Sequence, residues 1–312
     1  MSEGEKVFEA LRAVPDVNIM DLIALLVDVK PVIYAPFKEG TEQLSSIFPE
    51  LFIEKGYREI FGAENAIAMI SKNHSAAVGA AKNASIPERL SVFLGYPECC
   101  VEKHLTFHSQ GVRKEREETF SCIGKCGSAP FLLNYLLNFG TRIREKGIYN
   151  ALTKYHQTNL DYLSLLKEKR GRQDNAERAF LFSFSFIPHI PCSPNCEKSI
   201  SIGKAVAEWM KKEMPDLFLL FKNTFKRPFL IFDTLNFIAF DGEVDNGYLN
   251  YRSIVPPIAP IENKVRENLS LGDKLSANKE KIIIYKGDLP VFQYDKKDEM
   301  DGYLMNFTDV AL

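Results

Sequence analysis

Three close pairs of cysteines contain every thiol of the 312-residue chain. They are Cys99 with Cys100, Cys122 with Cys126, and Cys192 with Cys196. Thiolates bind zinc and iron–sulfur clusters, and neighbouring thiols can also form a labile disulfide couple. Because the pairs stand apart in sequence and the rest of the chain has no cysteine, we expect one metal–thiolate site assembled from distant segments.

The residues around two of these pairs indicate that the thiols lie where helices begin. Pro97 suits the first position of a helix, since the N–H that proline lacks would have no partner there. Cys99 and Cys100 then fall in the first turn. In "PCSPNCEKS", Ser193 is predicted to cap a second helix, of which Cys196 is the third residue.

The third pair has a similar setting. Ser128 is predicted to cap a helix that continues through Pro130, with Cys126 just before it. The start of a helix presents unpaired N–H groups and the positive end of the helix dipole, and both lower the pKa of a thiol. A group of thiolates is an anion, so converging helix starts would suit it.

The cysteine spacings favour some metal sites over others. A zinc ribbon usually has two CxxC pairs, and a two-cluster ferredoxin needs about eight thiolates in tight CxxC runs. This chain has CC, CxxxC and CxxxC. We therefore predict a single [4Fe–4S] cluster held by Cys192 and Cys196 together with Cys99 or Cys100, while Cys122 and Cys126 are further candidate ligands.

The function expected of such a cluster is enzymatic, and the reaction expected is sulfur transfer to or from a small molecule or an RNA base. The vicinal cysteine not used as a third ligand would be the fourth ligand or a sulfur-carrying nucleophile, a role for which Cys99 is the candidate. Two alternatives stay open. One is a zinc-stabilised binding or scaffold protein without catalysis, and the other is a redox protein that uses the adjacent thiols.

Histidines near the cysteines leave room for a mixed site. Cys100, His104 and His108 are spaced four apart, so they share one helix face if that helix continues. His189 lies three residues before Cys192, between two prolines that fix the backbone. A Cys/His zinc or mononuclear iron site is therefore an alternative, and His189 could also orient a ligand or donate a proton in catalysis.

Two motifs and the stretch between them resemble a known family. "GYPECC" (95–100), "APFLLNYLLNFG" (129–140) and "PHIPCSPNCEKS" (188–199) are similar to the GYPxCC, L-N and HxPCxxxCxxS elements of the uncharacterised, largely archaeal prokaryotic family called domain of unknown function 483. The similarity covers roughly residues 90 to 205. The family has no established reaction. The resemblance implies that one site contains Cys99, Cys100, His189, Cys192, Cys196 and Ser199, where Ser199 would contact the cofactor.

The elements that must position these residues predict an α+β fold with three parts. Residues 1–85 mix helical and extended patterns, with a buried strand in "NAIAMIS" and a helix after it. Residues 86–225 read as a mainly helical core that carries the cysteines. Residues 226–312 are rich in β-branched and aromatic residues, with turn signals at Asp241-Gly242, Asn246-Gly247 and Lys286-Gly287-Asp288, and predict a β-rich unit.

Charge and hydropathy limit the partners. The net charge is −2, which argues against a protein that mainly coats nucleic acid. The stretch 220–229 interleaves basic and aromatic residues, so RNA binding is conceivable, although an amphipathic helix with core phenylalanines is favoured. No apolar run is long enough to cross a bilayer and no secretory signal is visible, so we expect a cytoplasmic protein without a membrane partner that acts on a small molecule.

Overall fold

The structure describes eleven segments of the chain, which include four of the six cysteines. A computed structural model describes residues 1–14, 17–38, 40–60, 63–108, 127–133, 186–187, 189, 191–232, 237–254, 264–297 and 301–312. Cys122 and Cys126 lie outside these residues, as do the helices predicted in 134–169 and the proline-rich stretch 255–262.

A small antiparallel sheet organises the N-terminal part. Its strands are β1 (Ile33–Pro36), β2 (Phe52–Ile60) and β3 (Ala63–Ser71), in the order β1-β3-β2. The helices here are α1 (Glu3–Ala13), α2 (Ile19–Leu26), the short α3 (Leu44–Ile47) and α4 (His74–Lys82). The predicted strand in "NAIAMIS" and the helix after it are both confirmed.

Two helices carry the chain from this sheet to the first cysteine pair. They are α5 (Pro87–Phe93) and α6 (Glu98–His108). Between them Gly95 has a φ of +68°, and a Cβ there would collide with the ring of Pro31. A glycine is therefore needed for the chain to turn this closely against the segment that follows α2.

Two further helices supply much of the main core. Helix α7 (Glu197–Glu213) begins directly after the last cysteine, and α8 (Pro215–Phe225) follows it. Val206 and Met210 of α7 are fully buried against residues from α1, α2 and the C-terminal strands. The largest hydrophobic cluster therefore contains residues from all three predicted parts. The division of the chain into three parts, with boundaries after residues 85 and 225, stays a prediction.

The second sheet has eight strands in the order β10-β9-β8-β7-β6-β5-β11-β4. Neighbouring strands are antiparallel except β11 and β4, which are parallel. Its strands are β4 (Ser128–Pro130), β5 (Phe229–Ile231), β6 (Phe237–Asp245), β7 (Tyr248–Ile254), β8 (Lys274–Ala277), β9 (Lys281–Lys286), β10 (Leu289–Asp295) and β11 (Tyr303–Thr308). A short helix, α9 (Lys264–Asn268), packs beside this sheet.

The turn predictions for this region are confirmed in two of three places. Asn246 and Gly247 both have positive φ values and join β6 to β7, and Gly287 lies in the turn between β9 and β10. The turn predicted at Asp241-Gly242 is wrong, because both residues lie inside β6. The register with β7 shifts between them, so the glycine marks a bulge rather than a reversal.

The α+β class fits, but the prediction of a mainly helical core was wrong. The described part of the chain contains eleven strands in two sheets, and one of them, β4, lies within residues 86–225. Ser128 and Pro130 belong to this strand and do not begin a helix. Local sequence suggested a helix cap, but pairing with β11 at the edge of the large sheet determines the structure instead.

Within the described ranges, no helix is both long enough and apolar enough to span a membrane.

Candidate metal centre

Four thiols meet at one point in the structure. The Sγ atom of Cys196 lies 3.7 Å from that of Cys100 and 3.9 Å from that of Cys99, and the two adjacent thiols are 4.0 Å apart. All four sulfur atoms, including that of Cys192, lie within 4.8 Å of one another. These four cysteines could hold a metal ion, and the predicted convergence of the first and third pairs is confirmed.

Three of the thiols come from two helix starts, and Cys192 comes from the loop that leads into the second helix. The N–H of Cys100 donates to the carbonyl of Pro97, so both adjacent cysteines lie in the first turn of α6, as predicted. The capping prediction at Ser193 is wrong, because α7 begins four residues later with Cys196 at the N-cap. The backbone carbonyl of Ser193 instead accepts a hydrogen bond from the N–H of Cys196, which closes a turn before the helix.

Hydrogen-bond donors surround the sulfur atoms. The N–H of Cys192 donates to the Sγ atom of Cys100 at 3.2 Å, and the hydroxyl of Ser199 donates to that of Cys196 at 3.2 Å. Lys103 binds the carbonyl of Cys192 at 2.7 Å, which fastens the loop to α6 and places a positive charge beside the cluster. Together with the N-terminus of α7, these groups partly offset the negative charge of four thiolates.

The environment shifts the pKa values of Cys100, Cys192 and Cys196 in different directions. Burial raises the pKa of Cys100 to about 11, and burial together with the neighbouring thiols raises the pKa of Cys192 far above its usual range. Burial also opposes ionisation of Cys196, but hydrogen bonds from the hydroxyl and backbone N–H of Ser199 and from the thiols of Cys192 and Cys100 together outweigh it and lower the pKa of Cys196 to about 7. Cys196 therefore forms a thiolate near neutral pH, whereas Cys100 and Cys192 do not.

This difference predicts a pH titration of the metal-free protein. The ultraviolet thiolate absorbance of Cys196, obtained by subtracting a Cys196→Ala protein, should rise with pH around a midpoint near 7. Ser199→Ala should move that midpoint upward, toward the ordinary thiol pKa of about 8.5, because the donor to the thiolate is lost. Ser201→Ala, an exposed serine on the same helix, is the matched control. Equal midpoints in all three proteins would contradict the role given to Ser199.

His189 lies beside the thiols but not among the four-sulfur group. Its Nε2 atom is 2.8 Å from the hydroxyl of Ser199, so the histidine and a thiol share that hydroxyl. Burial, reinforced by the charge of Lys30, lowers the pKa of His189 to about 3. The ring is neutral at physiological pH, and its buried Nδ1 atom has no hydrogen-bond partner within the described residues.

A buried ion pair behind the site was missed by the sequence analysis. Lys30 is 1% exposed and binds Asp21 at 2.7 Å. The Nζ atom of Lys30 also lies 4.9 Å from the ring centroid of Tyr96, which is itself 5.4 Å from that of His189. Tyr96 stands within the "GYPECC" motif and could have been singled out, whereas nothing local marks a lysine in an apolar segment as a buried ion-pair partner.

A cavity of about 260 Å³ opens against the thiol cluster. The small sheet, α5 and α6 form its walls. Its lining residues include Tyr34, Arg58, Leu90, Tyr96, Cys100 and His189. Cys100 and His189 thus face both the cluster and the cavity, so a molecule bound there would lie beside a thiol that could bind a metal.

The remaining predicted site residues have different positions. His104 lines the cavity and is outside the group of potential metal ligands, and the side chain of His108 is outside the described part of the structure. The mixed Cys/His ligand set therefore receives no support from the described residues. Metal binding by Cys122 and Cys126 stays a prediction.

The basic and aromatic stretch 220–229 packs as a core-entering helix and strand. Phe221, Phe225 and Phe229 are fully buried in the largest hydrophobic cluster. Lys222 and Lys226 on this stretch both form ion pairs with Asp309. These contacts agree with the favoured interpretation of a core helix, and RNA binding stays a prediction.

Comparison of the chain with protein-family models, with curated proteins and with solved structures finds no match. The function is therefore inferred from the site itself.

Proposed function

We propose that the chain is a zinc–thiolate protein in which Cys99, Cys100, Cys192 and Cys196 bind one tetrahedral Zn²⁺ ion. The spacing of the sulfur atoms carries this proposal. A Zn–S bond of about 2.3 Å gives a tetrahedron whose sulfur atoms are about 3.8 Å apart. The three Sγ–Sγ distances of 3.7, 3.9 and 4.0 Å are close to that edge. Binding would deprotonate all four thiols.

A [4Fe–4S] cluster fits these distances less well. In a cubane each thiolate binds a different iron atom, so the sulfur ligands lie farther apart than ligands that share one ion. The four thiols would have to spread apart to accept the cluster. A single iron ion would fit the same tetrahedron as zinc, and the proposal of zinc is distinguished from it by metal analysis.

The resemblance to domain of unknown function 483 remains part of the proposal. Its two cysteine motifs supply all four thiols, and its HxPCxxxCxxS motif also supplies His189 and Ser199. The hydrogen bond between these two side chains gives a physical reason for their presence in one motif. Ser199 would orient the Cys196 thiolate, and His189 would orient Ser199.

Metal analysis of protein purified under anaerobic conditions tests the proposal. We expect one equivalent of zinc per chain, no acid-labile sulfide and no visible colour. Replacement of zinc by Co²⁺ should give the intense visible bands of tetrahedral cobalt and the sulfur-to-metal charge-transfer bands of a thiolate site. A brown protein with iron and labile sulfide would contradict zinc and support the cluster instead, and iron without sulfide would indicate a mononuclear iron site.

Sulfur transfer is a second candidate function, and the cavity beside Cys100 and His189 favours it. Cys99 would carry the sulfur, because it is more exposed than Cys100 and lies in the same turn of α6. The expected sign is a persulfide on Cys99, seen by mass spectrometry as one extra sulfur atom that dithiothreitol removes and that Cys99→Ser abolishes. If anaerobically prepared protein supplied with a persulfide donor never gains this atom, sulfur transfer is contradicted.

A further inference from the structure

The cavity beside the thiol cluster has an apolar body. It is lined by Leu90 of α5, by Leu94 directly after that helix, and by Val101 and Leu105 of α6, while little polar surface reaches it. Pockets of this kind recognise a ligand by burying its apolar surface and orient it through a small number of polar contacts. At about 260 Å³ the space suits a molecule smaller than a typical drug.

The same wall carries a positive charge. Arg58, on β2, lines the cavity, and its side chain interacts with the phenols of Tyr34 and Tyr96. Within the described part of the chain its guanidinium has no carboxylate partner. Asp21, whose charge acts on both phenols, is already paired with Lys30. The described lining residues include no aspartate or glutamate, so none of them neutralises Arg58.

The tyrosines complete a donor set around the guanidinium. Burial is the main reason that the pKa of Tyr34 and that of Tyr96 are both raised, so both phenols keep their protons and can donate hydrogen bonds. An arginine presents planar N–H groups that match a carboxylate in a bidentate pair. Such a pair would give the guanidinium of Arg58 the carboxylate partner that it lacks among the described residues.

We propose that this cavity binds a small organic acid, with its carboxylate paired to Arg58 and its apolar body packed between α5 and α6 toward Cys100 and His189. The proposal goes beyond the metal site, because the described residues that line the cavity, Cys100 apart, are not among the proposed zinc ligands. It identifies the chemical class of the molecule that would lie beside the thiolates. Preferential binding of a larger, dianionic phosphate ester would contradict it.

Binding of benzoate to the full-length, zinc-loaded protein tests the proposal. Ligand-observed NMR and calorimetry should show saturable binding with a Kd on the order of 0.1–1 mM, as expected for a ligand of this size. Neutral benzamide should bind at least tenfold more weakly. Arg58→Gln should weaken benzoate binding at least tenfold, whereas Arg89→Gln, an exposed arginine on α5 outside the cavity lining, should leave it unchanged.

A second variant keeps the test decisive if Arg58→Gln does not fold. Leu105→Trp fills the cavity from the far end of α6 and should abolish benzoate binding while zinc content is retained. Equal binding of benzoate and benzamide, wild-type binding by both variants, absence of benzoate binding, or preference for phenyl phosphate would each overturn the proposal. So would benzoate binding that persists in Arg58→Gln and disappears when zinc is removed, because the carboxylate would then be on the metal.

Zinc content measured in the same samples separates this proposal from the proposed function. Benzoate binding that requires Arg58 in a protein with no zinc would support the cavity and contradict the zinc site. One equivalent of zinc without benzoate binding would do the reverse.

Discussion

Replacing Cys196 with alanine is expected to lower zinc affinity by at least about a hundredfold. Structural zinc sites bind with about 10–16 kcal/mol in total, so each of four thiolates contributes roughly 3 kcal/mol, which corresponds to about a hundredfold in affinity. Cys196 should show at least this loss, because its pKa is lowered to about 7 and its sulfur atom contacts those of both adjacent cysteines. Competition with a chromogenic zinc chelator measures the change.

The matched control removes two cysteines that the proposed tetrahedron does not need. The double variant Cys122→Ser/Cys126→Ser should retain one equivalent of zinc at wild-type affinity, because four other thiols already fill the coordination sphere. Loss of zinc from this double variant, or retention of full affinity by Cys196→Ala, would show that the ligand set is different.

Circular dichroism of Cys196→Ala then separates a structural metal from a functional one. None of the four described cysteines belongs to the main hydrophobic cluster, which is formed by α1, α2, α7, α8 and strands of both sheets. We therefore expect the variant to keep most of its secondary structure. Complete loss of folding would favour a scaffold whose stability depends on zinc.

The thiol cluster could be predicted from the sequence because its signals are local. Pro97 favours a helix start by its own geometry, and α6 begins at the next residue, so the two cysteines that follow lie in its first turn. The composition that predicted a β-rich C-terminal part is local in the same sense. Asn246-Gly247 forms a reversal because both residues tolerate positive φ, which few others do.

Errors arose where partners distant in sequence decide the conformation. Ser128 and Pro130 have the residue types of a helix start, but they pair with β11, almost 180 residues later. Gly242 has the residue type of a turn, but pairing with β7 keeps it within a strand as a bulge. The helix content predicted for residues 86–225 was too high, because the local sequence does not show which stretch pairs with a distant strand.

The cavity could not have been predicted for a related reason. Arg58 lies on β2 and Tyr34 on β1, and neither has a motif that links it to the cysteines. They meet Cys100 only because Gly95 lets the chain turn tightly against Pro31, which brings α6 to the small sheet. Only the three-dimensional arrangement relates these residues to the thiol cluster.

Asp21→Asn is expected to lower the free energy of unfolding by about 3–5 kcal/mol. The substitution leaves the ammonium of Lys30 buried without a counter-ion, and breaking a buried pair by removing one partner usually costs this much. Urea denaturation in the presence of excess zinc measures the change without interference from metal loss. Glu3→Gln removes the acidic partner of Lys6 from an exposed ion pair of the same 2.7 Å length and should leave stability unchanged within experimental error.

The double variant Asp21→Leu/Lys30→Met separates two quantities: the destabilisation caused by an unpaired buried charge and the stabilisation contributed by the ion pair itself. Replacing both partners by apolar residues should recover most of the lost stability, because no buried charge remains. If Asp21→Asn is as stable as the wild type, or if the double variant is no more stable than Asp21→Asn, the pair is not the buried, mutually dependent unit that the structure indicates.

Recovery of stability would imply that the pair is not needed for folding. Its position against Tyr96 would then point to a role in shaping the cavity wall, which benzoate binding by the stable double variant would measure directly.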